Sequence, residues 1–270
     1  MSQNTPPNPM TTMRVVYDMP GTADVSVRQH VAFPGADGGG LAMDVYRPAG
    51  TPTGARLPAV VIVSGYPDAG FERMLGCRFK DMESSRSWGR LLAASGMTAI
   101  TYTNREPVAD LQALMAHLRQ HAAVLCIDEA RLGVWASSGN VPLALSLLMD
   151  ASSGVSCAAF CYGYMLDLEG ATGVADAAAQ FRFANPCAGK SVADLPAGRP
   201  ILLAKAGQDQ MPGLNASIDQ FIAAARAANG PVTLATHPTG PHAFDLVDDS
   251  DASRDVIRQV LAFLRAHLVK

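Results

Sequence analysis

The chain has no basic run, no apolar run of membrane-spanning length and no Cys-x-x-Cys pair among its 270 residues. Each absence excludes something. With a net charge of −3 and no cationic cluster, a nucleic acid or an anionic membrane surface is not an expected partner. Without about 18 or more consecutive apolar residues, no membrane span is expected. The cysteines are Cys77, Cys126, Cys157, Cys161 and Cys187; an odd set without close pairs implies no disulfide framework, and Cys157 and Cys161 sit in an apolar run that reads as core. The opening MSQNTPPNPMTT is polar and Pro-rich and lacks the basic start and apolar centre of a secretory signal. Residues 1–24 are therefore expected to be a loose tail ahead of one domain at 25–270, in a cytoplasmic setting.

Two motif-like stretches also lack what their chemistry needs. GADGGG at 35–40 resembles a phosphate loop, yet it leads into an apparent strand and has no following Lys-Ser/Thr, so a hairpin turn is expected. His117 and His121 lie one helical turn apart, but there is no HExxH pattern and no evident third ligand, so a solvated helix face is expected and no metal.

What remains is a chain rich enough in apolar residues, 49% against 17% charged, to bury a full core. Apolar runs at 25–33, 41–47, 57–63, 97–102, 132–136, 155–162, 199–206 and 231–236 read as strands, and the run LPAVVIV suits a strand buried on both faces. Helical spacing appears at 85–94, from Pro107, from Val141, at 218–228 and at 253–268. The alternation predicts an α/β fold with a mostly parallel sheet and helices on both faces. Residues 71–80 carry no clear pattern. Residues 163–198 break the rhythm after the sixth strand and are expected to form a small lid or excursion, with Tyr162, Tyr164 and Met165 as candidate pocket residues.

The candidate site starts from RLGVWASSGNVPLALS at 131–146, which reads as strand, sharp turn, helix. A serine at such a turn projects its hydroxyl from the carboxyl end of the strand. Ser137 as nucleophile would put Trp135 two residues before it, which is too large for close approach of strand and helix. Ser138 puts Ala136 there and Gly139 immediately after, giving A-S-S-G-N in place of G-x-S-x-G. Pro142 tolerates only the first helical turn, so the helix starts no earlier than about Gly139. Asn140 stands where glycine is usual; asparagine tolerates unusual backbone angles, and a strained backbone is expected there. A serine pair that merely caps a helix is the alternative reading of this stretch.

A serine hydroxyl needs an imidazole to take its proton, and the imidazole needs a carboxylate to fix its tautomer. Asp209, in GQDQMPG after the seventh strand, is favoured over Asp167, Asp245, Asp248 and Asp249. His242, in TGPHAF after the last strand, is favoured over His237. The loop SGYPDAG after the third strand offers the amide of Tyr66 as an oxyanion donor beside that of Gly139.

In VVIVSGYPDAG, RLGVWASSGN, ILLAKAGQDQMPG and TGPHAFDL the chain resembles the α/β-hydrolases, close to the dienelactone hydrolase and small serine esterase branch. The resemblance spans about residues 25–268. It implies an eight-stranded α/β-hydrolase fold, acyl-enzyme catalysis by Ser138, His242 and Asp209, no cofactor, and a small-molecule ester or lactone as substrate. Ser138 stands where dienelactone hydrolases carry cysteine, which points away from that particular activity. A peptidase or acyltransferase on the same triad, or a non-catalytic scaffold, are the alternatives.

Overall fold

A residue in a strand alternates faces, and in this chain both faces are apolar, so each central strand feeds two cores at once. In the computed structural model, which describes residues 8–269, Ala59, Val61 and Val63 pack into one core while Val60 and Ile62 pack into the other. Ile201 and Leu203 likewise part from Leu202 and Ala204.

The strands are β1 (Ser26–Pro34), β2 (Gly40–Arg47), β3 (Leu57–Ile62), β4 (Thr98–Tyr102), β5 (Ile127–Ser137), β6 (Val155–Cys161), β7 (Ile201–Ala206) and β8 (Val232–His237). They form one eight-stranded sheet in the order β1-β2-β4-β3-β5-β6-β7-β8. The pairings from β4 through β8 are parallel, and β2 runs antiparallel to both its neighbours. The GADGGG stretch is the hairpin turn between β1 and β2, closed by Gly35 N–H to the Gly39 carbonyl at 2.8 Å.

The helices are α1 (Pro9–Thr12), α2 (Asp68–Leu75), α3 (Glu83–Ala94), α4 (Pro107–Gln120), α5 (Ala122–Leu125), α6 (Val141–Met149), α7 (Gly173–Phe181), α8 (Leu214–Ala227), α9 (Phe244–Val247) and α10 (Asp251–Leu268). Leu111, Leu114 and Leu118 of α4, most of α6, and Ile218 and Phe221 of α8 cover one face. Trp88, Leu91 and Leu92 of α3 and Val256, Val260 and Leu264 of α10 cover the other. Among the described residues no helix is long and apolar enough to cross a membrane.

The expectation of a loose tail is corrected from residue 8 onward. Asn8 caps α1, Val15 is buried, and Val16 N–H donates to the Asp245 carbonyl at 2.8 Å, so this segment is tied down on the α3–α10 face. The part of that expectation covering residues 1–7 lies outside the described residues. Residues 71–80, which carry no clear pattern, belong to α2 and to a short turn at Phe79–Asp81. That turn is pinned by Lys80, whose buried ammonium bonds Asp44 Oδ2 and Asp81 Oδ1, each at 3.0 Å.

Helix α2 has one buried residue, Asp68. Its Oδ2 accepts the Asn104 N–H at 3.0 Å, which anchors the helix to the loop after β4. Burial pushes this carboxyl up to about 6, against the pull of the Asn104 and Phe79 amides. The folded state thus keeps a proton that an exposed aspartate releases near pH 4, and stability falls as pH rises from about 4 to about 6. Asp68→Asn is expected to remove that part of the pH dependence. The Tm of the variant should gain on that of the parent across the window and hold a constant difference above it. Parallel Tm–pH curves would contradict a raised Asp68.

Candidate active site

Strands β3, β5, β6, β7 and β8 are consecutive in the sheet, and the loops at their carboxyl ends meet above it. This is where an open α/β sheet presents ligand sites. Ser138 follows β5 in a short 3-10 turn, Ser138–Asn140, before α6 begins with Pro142 in its first turn. Its φ is 55°, a left-handed conformation that a non-glycine residue holds at a cost and that the surrounding packing enforces. A Cβ on Gly139 would collide with the Tyr66 hydroxyl and the Phe183 ring, so a larger residue after the serine would force both rings to shift.

Asn140 answers differently from the expectation of strain. Its φ of −82° and ψ of −16° are ordinary right-handed values. The close approach falls instead on Gly65, where a Cβ would stand 2.9 Å from the Gly139 carbonyl oxygen and 3.1 Å from Asn140 Cα. The Asn140 side chain bridges the two loops: Oδ1 accepts Gly65 N–H at 2.8 Å, and Nδ2 donates to the Ser137 carbonyl at 3.0 Å. The amide is buried, and each of its atoms meets the complementary group.

The structure brings Ser138, His242 and Asp209 together. Ser138 Oγ lies 3.0 Å from His242 Nε2, and His242 Nδ1 lies 2.7 Å from Asp209 Oδ2. Asp209 is fully buried at its side chain, and its other oxygen accepts Met211 N–H at 2.9 Å, which fixes the carboxylate plane. With Nδ1–H held by that carboxylate, Nε2 is the acceptor and the serine hydroxyl donates to it. The acid and histidine loops are cross-tied by Gly207 N–H to the His237 carbonyl at 2.8 Å and Gln208 N–H to the Gly240 carbonyl at 2.9 Å. The rivals are all engaged elsewhere. His237 is buried against Asp248 at 2.7 Å, Asp167 accepts the first amides of α7, Asp249 pairs with Arg254, and Asp245 is buried beneath the site.

Among the described residues no backbone carbonyl accepts from the Tyr66 amide, and Tyr66 and Ser138 line the same cavity. The Tyr66 ring packs edge-on to Phe71 and Phe183, and its buried hydroxyl is pushed up to about 12. Ser138 and His242 open into a cavity of about 590 Å³. Its walls are largely apolar: Phe71 and Leu75 of α2, Phe79, Met82, Phe181 at the end of α7, and Leu246.

Of the three candidate pocket residues one borders this cavity. Tyr162 lines the cavity. Tyr164 and Met165 are buried at 1% and 0% exposure and cannot reach it; Tyr164 stacks on Phe183 at 5.4 Å and donates to the Pro212 carbonyl. Residues 68–82 contribute Phe71, Met74, Leu75, Phe79 and Met82 to the wall. The signal for it was Phe71, Leu75, Phe79 and Met82, apolar residues three or four apart inside a polar segment. Lining the cavity from 163–198 are Gln180, Phe181 and Arg182, and Ala184 N–H bonds the Gly65 carbonyl at 2.8 Å. Among the described residues no group of three or more His, Cys, Asp or Glu side chains could hold a metal, and the rings of His117 and His121 stack on each other at 4.3 Å.

No protein-family profile and no curated protein sequence matches the chain. Its fold has many solved counterparts. A bacterial heroin esterase aligns with a TM-score of 0.68 at 18% identity, over 94% of this chain and 88% of the other. Est2, a thermophilic esterase of Thermogutta terrifontis, aligns with a TM-score of 0.67 at 21% identity, over 93% and 95%. Brefeldin A esterase, a bacterial homologue of human hormone-sensitive lipase, aligns with a TM-score of 0.69 at 18% identity, over 95% and 81%. At these identities the likeness defines the architecture: the chain has the α/β-hydrolase fold.

Proposed function

We propose that the protein is a serine hydrolase of carboxylic esters, lactones included, of the small-esterase and dienelactone hydrolase-like kind. The observation that carries this reading is the hydrogen-bonded series Ser138–His242–Asp209 opening into an apolar cavity. In this mechanism His242 takes the Ser138 proton as Oγ attacks the ester carbonyl, and Asp209 stabilises the imidazolium. The amides of Gly139 and Tyr66 receive the oxyanion. His242 then protonates the departing alcohol, and a water activated by the same imidazole releases the acid. The cavity walls favour an ester with an apolar acyl or alcohol group, and residues 163–198 act as a small lid through Phe181 and Arg182. Names of structural neighbours, such as heroin esterase and brefeldin A esterase, agree with ester chemistry on this architecture.

The test is a fluorophosphonate, which reacts with a serine only when a base activates it. Stoichiometric modification mapped to Ser138 by mass spectrometry, lost in His242→Gln, is expected. A folded protein that stays unmodified would refute the reading in favour of a non-catalytic scaffold. Adding alcohol or amine acceptors to the hydrolysis then separates an esterase from an acyltransferase, which would divert most of the acyl group to them.

A further inference from the structure

One buried carboxylate beneath the site has no part in the scheme above. Asp245 lies three residues after His242 in sequence and is 1% exposed. Its Oδ2 accepts the Trp88 indole N–H at 2.7 Å, and its Oδ1 accepts the Tyr162 hydroxyl at 2.5 Å. Among the described residues it has no cationic partner in salt-bridge contact. Tyr162 follows β6 with φ of 35°, a conformation a bulky residue does not adopt unless held. Its ring stands 5.0 Å from that of His242, at 67° to it, and 5.4 Å from Phe244. The tyrosine thus fills the space between the imidazole and the buried carboxylate.

We infer that Asp245 is a positioning residue for His242: through the Tyr162 hydroxyl it clamps the ring that backs the imidazole, and its buried charge favours the imidazolium formed during acyl transfer. The inference rests on the reading of His242 as the general base. Both Asp245 oxygens face donors, the arrangement a carboxylate takes. The Trp88 indole can only donate, so Oδ2 is an acceptor. A hydroxyl–carboxylate distance of 2.5 Å is that of a charge-assisted bond. Burial raises the carboxyl above its usual range, and the two donors and the His242 charge offset only part of that rise. The other titratable groups facing this pair are Asp209 after β7, Cys161 on β6, and His237 on β8, which is held by Asp248. From α3 and α10 it meets Trp88 and aliphatic side chains.

The experiment is a nitrogen-15 NMR titration of the His242 ring in the intact protein and in Asp245→Asn, with pH–rate profiles on an aryl ester. Removing a nearby negative charge should lower the His242 pKa by roughly one unit. The acid limb of kcat/KM should move to lower pH by the same amount, and kcat should fall about tenfold with KM within about twofold. Tyr162→Phe leaves the Asp245 carboxyl in place and removes the clamp, so kcat should fall with less than half of that pKa change. A folded Asp245→Asn protein with an unmoved His242 pKa would overturn the inference and leave Asp245 a structural group. If Asp245→Asn does not fold, an unchanged kcat in Tyr162→Phe overturns it. The titration needs no turnover, so failure of the esterase reading would show separately, as absence of fluorophosphonate modification at Ser138.

Discussion

Replacing Ser138 with alanine is expected to lower turnover of a short-chain aryl ester by about 10⁵- to 10⁶-fold, the loss typical of deleting the nucleophile of a serine triad. The size of the effect follows from the geometry. Ser138 Oγ is the atom aligned on His242 Nε2, and Ser137 precedes the turn on β5, so no neighbouring hydroxyl replaces it. Stability should change little. The substitution removes one partly exposed hydrogen bond, and alanine meets the left-handed backbone at φ of 55° with much the same Cβ penalty as serine. Initial rates together with thermal unfolding check both halves of the expectation. A folded variant with parental activity would remove Ser138 from the mechanism and the esterase reading with it.

Asn140→Gly makes the second large effect, and its direction runs against the motif. The substitution recreates the usual G-x-S-x-G spacing at its last position, yet it should lower stability by about 2 to 3 kcal/mol. Two hydrogen bonds disappear, the buried Gly65 N–H loses its acceptor, and the chain gains freedom in the unfolded state. The loop released is the one that carries the Tyr66 amide, and a displacement of about 1 Å there should cost kcat on the order of a hundredfold. Chemical denaturation and kcat on one ester measure the two losses. A variant as stable and active as the parent would mean that the Asn140 bridge is incidental.

That same bridge marks where reading from sequence worked and where it stopped. The central strands were legible because apolar runs buried on both faces admit few other structures, while β1 and β8, at the sheet edges, are only partly buried. The order Ser138, Asp209, His242 was legible because each residue lies in a turn beyond the carboxyl end of an apolar run, although His237 sits closer to its strand than His242 does. Asn140 was placed correctly and given the wrong backbone: the sequence does not reveal that Gly65, far away in the chain, takes up the close contact. Tyr164 and Met165 do not line the cavity because side chains in an irregular segment have no period to say which way they face, and here the Tyr164 ring stacks on Phe183 while Met165 is buried in the core with its amide bonded to Ser217 of α8. The cavity wall at residues 68–82 was missed for a related reason. Its apolar residues line the cavity while also packing on the α3–α10 core, Phe79 and Met82 within it and Phe71 and Leu75 against it, and helix α2 buries only Asp68. Asp245 ranked as a rival acid by its position alone; its bonds to Trp88 and Tyr162 join parts of the chain that no local pattern connects.

Two of the segments that wall the cavity, 68–82 and 163–198, lie outside the sheet, while the groups that would move protons sit on loops laced to one another and to the strands. Reactivity and selectivity are thereby housed in separable parts of the molecule. Exchanging side chains such as Phe71, Phe79, Met82 or Phe181 alters which molecules fit without touching the atoms that would break the bond. The scaffold can in this way diversify its repertoire while its chemistry stays constant.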